Sequence, residues 1–330
     1  MSRSAIAIIG ALLLTAVPAS GQEWAKKMFQ ETTHNFGMVA ANAKTEYRFP
    51  LTNLYRDDVH ISGVRVSCGC TTPIVTKDTL KSWEQGEIIA HFNTDRFSGQ
   101  RGATPTVVID RPQPAEVQLR VDGLIRNDVM ISPGEVKFGS IDQGSARDQE
   151  VLVDLSGAGR QITQVKSQVT YVTATPTLVG QEAGRTRYKI RVHLAETSPP
   201  GYLNDQLMLV TNDASGTEFP LSVVGRVVPE VSISPSALSV GVVQPDQEVT
   251  KQLVVRAKRP FRILKINCDD PAFTFRPDNE AKSVHVVPVS FKAGHDASKV
   301  SQKIRIETDL GHEVSAELTA FAEVVSLAHK

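Results

Sequence analysis

The chain has 330 residues, 41% hydrophobic and 22% charged, an ordinary globular composition that excludes disordered and fibrous classes. Its 36 Lys and Arg balance 36 Asp and Glu, so no excess positive charge exists to drive counterion release from a nucleic acid, and DNA or RNA is not an expected partner. Three cysteines are too few for a disulfide scaffold and lack paired CxxC spacing, so apolar packing must carry the two or three domains that this length allows.

The first element is an address. Arg3 precedes the uncharged run Ala5–Val17, followed by Pro18 and the small residues Ala19, Ser20 and Gly21, so residues 1–21 read as a secretory signal peptide cleaved after Gly21. Thirteen residues rising 1.5 Å each reach about 20 Å, short of a hydrocarbon core of about 30 Å. The expectation is an exported protein, periplasmic, cell-surface or secreted, with no transmembrane anchor in the mature chain.

After the leader the chain repeats. Phe36-Gly37-Met38-Val39 returns as Phe138-Gly139-Ser140-Ile141 and as Val240-Gly241-Val242-Val243, the glycines 102 residues apart at each step. Ile131-Ser132-Pro133 returns as Ile233-Ser234-Pro235, and Gly123 as Gly225, in the same register. Domains are therefore expected at 22–126, 127–228 and 229–330. Within them the apolar residues alternate, as in Glu46-Tyr47-Arg48-Phe49-Pro50-Leu51, Tyr188-Lys189-Ile190-Arg191-Val192 and Lys303-Ile304-Arg305-Ile306. Turn residues such as Thr211-Asn212-Asp213 with Gly216 punctuate them, and no helical period persists. Half-buried strands without crossover helices predict an all-β chain of three tandem immunoglobulin-like antiparallel β-sandwiches in an extended array. The joints look short: Glu116–Asp122 reads as a last strand and Asp128–Ile131 as the next first strand, with about five residues between to turn the chain. Leu124, Ile125, Val227 and Val228 in these joints are apolar enough to pack between neighbours.

Thr33-His34-Asn35-Phe36-Gly37, Phe49-Pro50-Leu51-Thr52-Asn53 and Ser67-Cys68-Gly69-Cys70-Thr71-Thr72-Pro73 resemble the bacterial family called domain of unknown function 1573, with Cys-Gly-Cys-Thr the most specific run. The resemblance covers residues 32–125 and implies an immunoglobulin-like fold akin to major sperm protein and Hydin domains, often in secreted proteins, without an agreed activity.

Val64, Val66, Cys68 and Cys70 fall in step, so an extended strand puts all four on the core face. The second repeat has Val165-Lys166-Ser167-Gln168-Val169 with no cysteine and the third Leu264-Lys265-Ile266-Asn267-Cys268 with one, so the expectation is that the cysteines pack as small hydrophobes. Two readings compete with it. Cys68 and Cys70 are weak candidates for a soft metal such as Cu(I), with His60 the nearest imidazole beyond an expected irregularity at Ser62-Gly63. They are also candidates for disulfide chemistry in an oxidising compartment. Among the eight histidines, His34 reads as an exposed loop residue. Asp57-Asp58 and Asp269-Asp270 read as solvated turn acids, and Arg65, Lys166 and Lys265 as outward residues of equivalent strands that solubilise a sheet or mark a docking face.

No GxSxG, HExxH, Walker or GxGxxG motif occurs, so no catalytic residue and no cofactor are expected. The expected function is non-enzymatic binding or structural support through sheet edges and loops, with a protein or cell-envelope component as partner. A thiol-dependent metal or redox role at Cys68 and Cys70 is the alternative.

Overall fold

The computed structural model describes residues 22–182, 184–213, 217–311 and 315–325; the expected leader at 1–21 and the turn glycine Gly216 lie outside them. After one short helix, α1 (Glu23–Lys26), the remaining elements among the described residues are strands. The first stretch holds β1 (Thr33–Ala41), β2 (Thr45–Thr52), β3 (Val59–Arg65), β4 (Thr71–Val75), β5 (Thr79–Leu80), β6 (Gln85–Phe92), β7 (Gly99–Ala103), β8 (Thr106–Arg111), β9 (Ala115–Gln118) and β10 (Arg120–Ser132). The next holds β11 (Glu135–Asp142), β12 (Arg147–Ser156), β13 (Ile162–Lys166), β14 (Val172–Glu182), β15 (Arg185–Leu194), β16 (Gly201–Thr211) and β17 (Glu218–Val228). The last holds β18 (Val231–Ser234), β19 (Ala237–Val243), β20 (Glu248–Phe261), β21 (Ile263–Asn267), β22 (Phe273–Phe275), β23 (Lys282–Lys292), β24 (Ser298–Thr308) and β25 (Ser315–Val324).

These strands form immunoglobulin-like sheets whose two faces follow the sequence alternation. Sheets β2-β6-β4 and β5-β3-β8-β9 share a core that includes Phe49, Leu51, Ile61, Ile88, Val107 and Leu119. Each such side chain, fully buried, contributes roughly 1.5–3 kcal/mol. Sheets β18-β20-β23-β22 and β19-β25-β24-β21 share a second core that includes Leu253, Val255, Val289, Phe291, Ile304 and Leu318. Between them in sequence, β12-β15-β14 and β11-β17-β16-β13 turn Val151, Val153, Ile190, Leu209, Phe219 and Leu221 inward.

The chain divides into two compact units. One comprises the described residues up to Gly139 with Ala146–Ala195 and Leu203–Gly225; the other comprises Ser140–Ser145, Glu196–Tyr202 and the described residues from Arg226 onward.

Within the first unit the expected turn after Asp122 is absent. β10 runs unbroken, pairing with β1 and β7 over Arg120–Arg126 and with β12 over Val129–Ser132. Asn42 and Gly134 fasten this strand to the β1–β2 turn. Asn42 Nδ2 donates to the Ile131 carbonyl at 2.7 Å, Lys44 N–H donates to the Gly134 carbonyl at 2.9 Å, and Lys44 pairs with Glu135 at 3.0 Å.

Not every pairing is antiparallel, since β1 runs parallel to β10 and β19 parallel to β25. Both parallel ladders slip at the repeated glycine. Gly37, Gly139 and Gly241 all have φ between +66° and +98°, which favours glycine. Phe36 lies over Gly123 as Phe138 lies over Gly225, and a Cβ on either glycine would stand 3.1 Å from the phenylalanine Cβ. The 102-residue period thus records a repeated bulge and the close approach that faces it.

Candidate functional site

The Cys68–Cys70 turn departs from the expected core strand. The β3–β8 ladder slips on both sides of Ile61, Val64 still packs against the core, and the strand ends at Arg65. Val66 is consequently exposed, Cys68 is half-buried and Cys70 alone is fully buried. The two sulfurs are joined in a disulfide (S–S 2.05 Å) and therefore do not pack as separate thiols. Asn93 holds the turn, donating from Nδ2 to the Gly69 carbonyl at 2.7 Å and from its backbone to the Cys70 carbonyl at 2.9 Å.

His60 faces away from sulfur chemistry, its Nδ1 lying 2.6 Å from Asp110 Oδ1. A disulfide offers no thiolate to Cu(I), and among the described residues no group of three or more His, Cys, Asp or Glu could hold a metal. Cys268 is a free, half-buried thiol whose pKa is raised by burial.

A second arrangement, built from residues distant in sequence, is a cleft of about 640 Å3 within the first unit. One wall is formed by β1 and by Lys44–Arg48, which leads into β2; the other is formed by β16 and β17. β1 and β2 are each terminal in their sheets. β2 pairs with β6 along its length, Phe29 bridges Leu51 and Thr52 N–H donates to the Met28 carbonyl on the far end of its outer edge, and the cleft end of that edge has no second strand among the described residues.

His34, expected as an exposed loop residue, instead sits in β1 opposite Val121. Its ring stacks flat on Tyr47 with centroids 3.6 Å apart and 9° between planes, while Phe36 meets it edge-on at 4.8 Å. Burial lowers the His34 pKa, which favours the neutral ring. Burial, together with donation of the Tyr47 hydroxyl to Glu31, pushes the phenol up to about 12.

Most charges at the cleft are paired. Lys44 meets Glu135, Arg48 meets Glu87 at 2.8 Å and Glu46 at 3.2 Å, and Glu218 meets Lys166 at 2.6 Å. Asp205 differs. Its Oδ1 accepts the Gln206 N–H at 2.8 Å, but its Oδ2 is buried and accepts nothing. A buried acceptor left in that state costs about 1–3 kcal/mol, so this oxygen favours an arriving donor.

The remaining expected positions lie elsewhere. Asp57 and Asp58 are exposed in a loop, with Asp58 paired to Lys81. Asp269 is exposed, and Asp270 Oδ1 accepts the Ala272 N–H in its own turn. Arg65 pairs with Glu116 at 2.6 Å, Lys166 with Glu218, and Lys265 lies exposed opposite Glu307.

A charge ladder escaped the sequence reading, although the alternation Arg185, Arg187, Lys189, Arg191, His193 carries its signal. On the outer face of the second sheet pair, Asp148 faces His193, Glu150 faces Arg191 and Asp154 faces Arg187. Surface pairs of this kind are worth roughly 0.2–1 kcal/mol each, and acidic partners offset Arg187, Lys189 and Arg191. Tyr47 and Asp205 also escaped it, because nothing in the local sequence brings strands from different repeats together.

Residues 28–125 match the family described as protein of unknown function, DUF1573. Curated proteins give no match. Among solved structures, a protein of unknown function from Porphyromonas gingivalis is 13% identical, with 60% of this chain and 100% of that chain covered at a TM-score of 0.24. An I-band fragment of titin is 8% identical, with 91% and 98% covered at 0.22. The Bacteroides ovatus mixed-linkage glucan utilisation protein SGBP-B, solved with a heptasaccharide, is 11% identical, with 88% and 65% covered at 0.20. TM-scores this low support no inference.

Proposed function

We propose that this is an exported, non-enzymatic binding protein built of modules at 22–126, 127–228 and 229–330, and that it takes an extended peptide strand bearing Lys or Arg into the cleft beside β1 and β2. The observation that carries the reading is the conjunction of two terminal strands with an unpartnered, buried Asp205 oxygen across the same cleft. A terminal strand offers main-chain donors and acceptors to an added strand, which supplies affinity without catalytic residues. Asp205 would receive a cationic side chain, and the exposed part of the Tyr47–His34 stack would offer it a ring face. The unbroken β10 and the hydrogen bonds from Asn42 to the Ile131 carbonyl and from Lys44 N–H to the Gly134 carbonyl hold the walls before the partner arrives, which lowers the ordering cost of binding. The leader motif at 1–21 supports export, with a protein or cell-envelope component as partner.

Selection of displayed random decapeptides on the full chain tests this. Enriched sequences should carry Lys or Arg within an unbroken extended run, and should lose at least tenfold in affinity when Asp205→Ala or Tyr47→Ala is introduced. Enrichment that both substitutions leave unchanged would remove the proposal.

A further inference from the structure

We propose that the Cys68–Cys70 disulfide is a thiol-exchange site that accepts two electrons from a dithiol, with Cys68 Sγ as the attacked atom. Three observations converge on it, and none depends on the peptide cleft.

The bond is not needed to build the turn. Gln168–Tyr171 makes the corresponding turn after β13 with no cysteine. A link between residues two apart also ties together nothing that the chain does not already hold close.

The pair is asymmetric. Cys70 is fully buried and Cys68 is half-exposed, so an incoming thiolate can reach one sulfur and not the other.

The surroundings suit the reduced pair without rearrangement. Both sulfurs lie 3.5 Å from the Gly102 carbonyl oxygen. A disulfide has no proton to give it, whereas two thiols would each donate there. The Cys70 N–H points at Cys68 Sγ from 3.2 Å, where it would stabilise a Cys68 thiolate. The backbone around them is fixed by Asn93 and by the Thr104 N–H donating to Ser67 Oγ at 2.9 Å, so one main-chain conformation serves both oxidation states.

A thiolate of the dithiol attacks Cys68 Sγ, a mixed disulfide forms, the Cys68–Cys70 bond breaks, and its electron pair goes to Cys70 Sγ, which takes a proton from water. The second thiol of the partner loses its proton and attacks the partner's own sulfur in the mixed disulfide, releasing Cys68 as a thiolate beside the Cys70 N–H. The dithiol ends as a disulfide and the Cys68–Cys70 pair as a dithiol, two electrons having passed.

The test uses the full oxidised chain in native buffer at neutral pH with millimolar dithiothreitol, quenched with iodoacetamide and mapped by peptide mass. The expected result is alkylation of Cys68 and Cys70 within minutes, with near-UV circular dichroism unchanged. In single variants treated with oxidised glutathione, Cys70→Ser should exchange to a glutathione mixed disulfide at Cys68, releasing reduced glutathione, at least tenfold faster than Cys68→Ser does at Cys70. Reduction that requires denaturant would overturn the proposal. Reduction that unfolds the protein, or air-oxidised protein that carries two free thiols at these positions, would overturn it equally, and the wild-type measurement decides even if a variant fails to fold.

Discussion

At the scale of single residues, the cleft is marked by what is left unsatisfied. Asp205 keeps one oxygen buried and unpartnered, an arrangement that costs stability in the free protein and returns it only when a donor arrives. Asp205→Ala is therefore expected to leave the melting temperature unchanged or to raise it, while abolishing peptide binding; calorimetry of the two proteins checks the first half, and a marked fall in melting temperature would make Asp205 a structural residue. Tyr47 provides a second check. Its phenol is held near 12 by burial and by Glu31, so ultraviolet titration should show one tyrosine ionising late, and Glu31→Gln should move it back toward 10. For the cysteines, a ring closed over three residues removes little chain entropy, roughly 1.5 kcal/mol by the loop-closure relation. Replacing Cys68 and Cys70 together by Ala should cost no more than about 2 kcal/mol in chemical denaturation.

At the scale of elements, β10 and the segments clasping it set the geometry of the first unit. Gly134 permits the clasp because a Cβ there would stand 2.0 Å from the Asn42 carbonyl oxygen, with backbone on both sides. Gly134→Ala must push the β1–β2 turn away, and a loss of about 1–3 kcal/mol is expected in denaturant melts. The middle of β10 carries a network in which Asp128 receives Arg126 Nε at 2.7 Å and also pairs with Arg160, while Arg160 reaches Asp213 at 2.9 Å. The hydrogen bond from Arg126 is the main reason that the Asp128 carboxyl falls from 3.8 to about 2. A depressed carboxyl stabilises the fold fully above its unfolded value and loses that contribution as pH falls through the folded one. Melting temperature should thus fall between about pH 4 and pH 2, less steeply in Asp128→Asn, with solvent screening of this half-exposed group limiting the size of the effect.

The same elements show why some structure was legible in the sequence. The alternation in β2, β15 and β24 and the glycine period were readable because a strand face and a positive-φ bulge impose local residue choices. The parallel pairing of β1 with β10 was not, since parallel partners leave no turn between them to read. The Cys68–Cys70 segment was misread as a strand because β3 ends at Arg65, so the alternation counted from Val64 does not carry through to it, although Val64, Cys68 and Cys70 all pack against the first core.

At the scale of the molecule, the 36 basic and 36 acidic residues leave no net charge to attract a strongly charged partner, so the proposed recognition rests on the shape and the unsatisfied oxygen of the cleft. No helix among the described residues is long and apolar enough to cross a membrane. Each compact unit has its own buried core, yet the terminal strands, the stacked His34–Tyr47 pair and the unpartnered Asp205 oxygen coincide in the cleft of the first. Hydrogen–deuterium exchange on the full chain, with and without a saturating selected Lys-bearing decapeptide, tests that coincidence most directly. The account predicts slowed exchange at the amides of 34–39 and 44–48, absent in Asp205→Ala at the same peptide concentration; protection confined to other strands, or protection there that Asp205→Ala leaves intact, would contradict it.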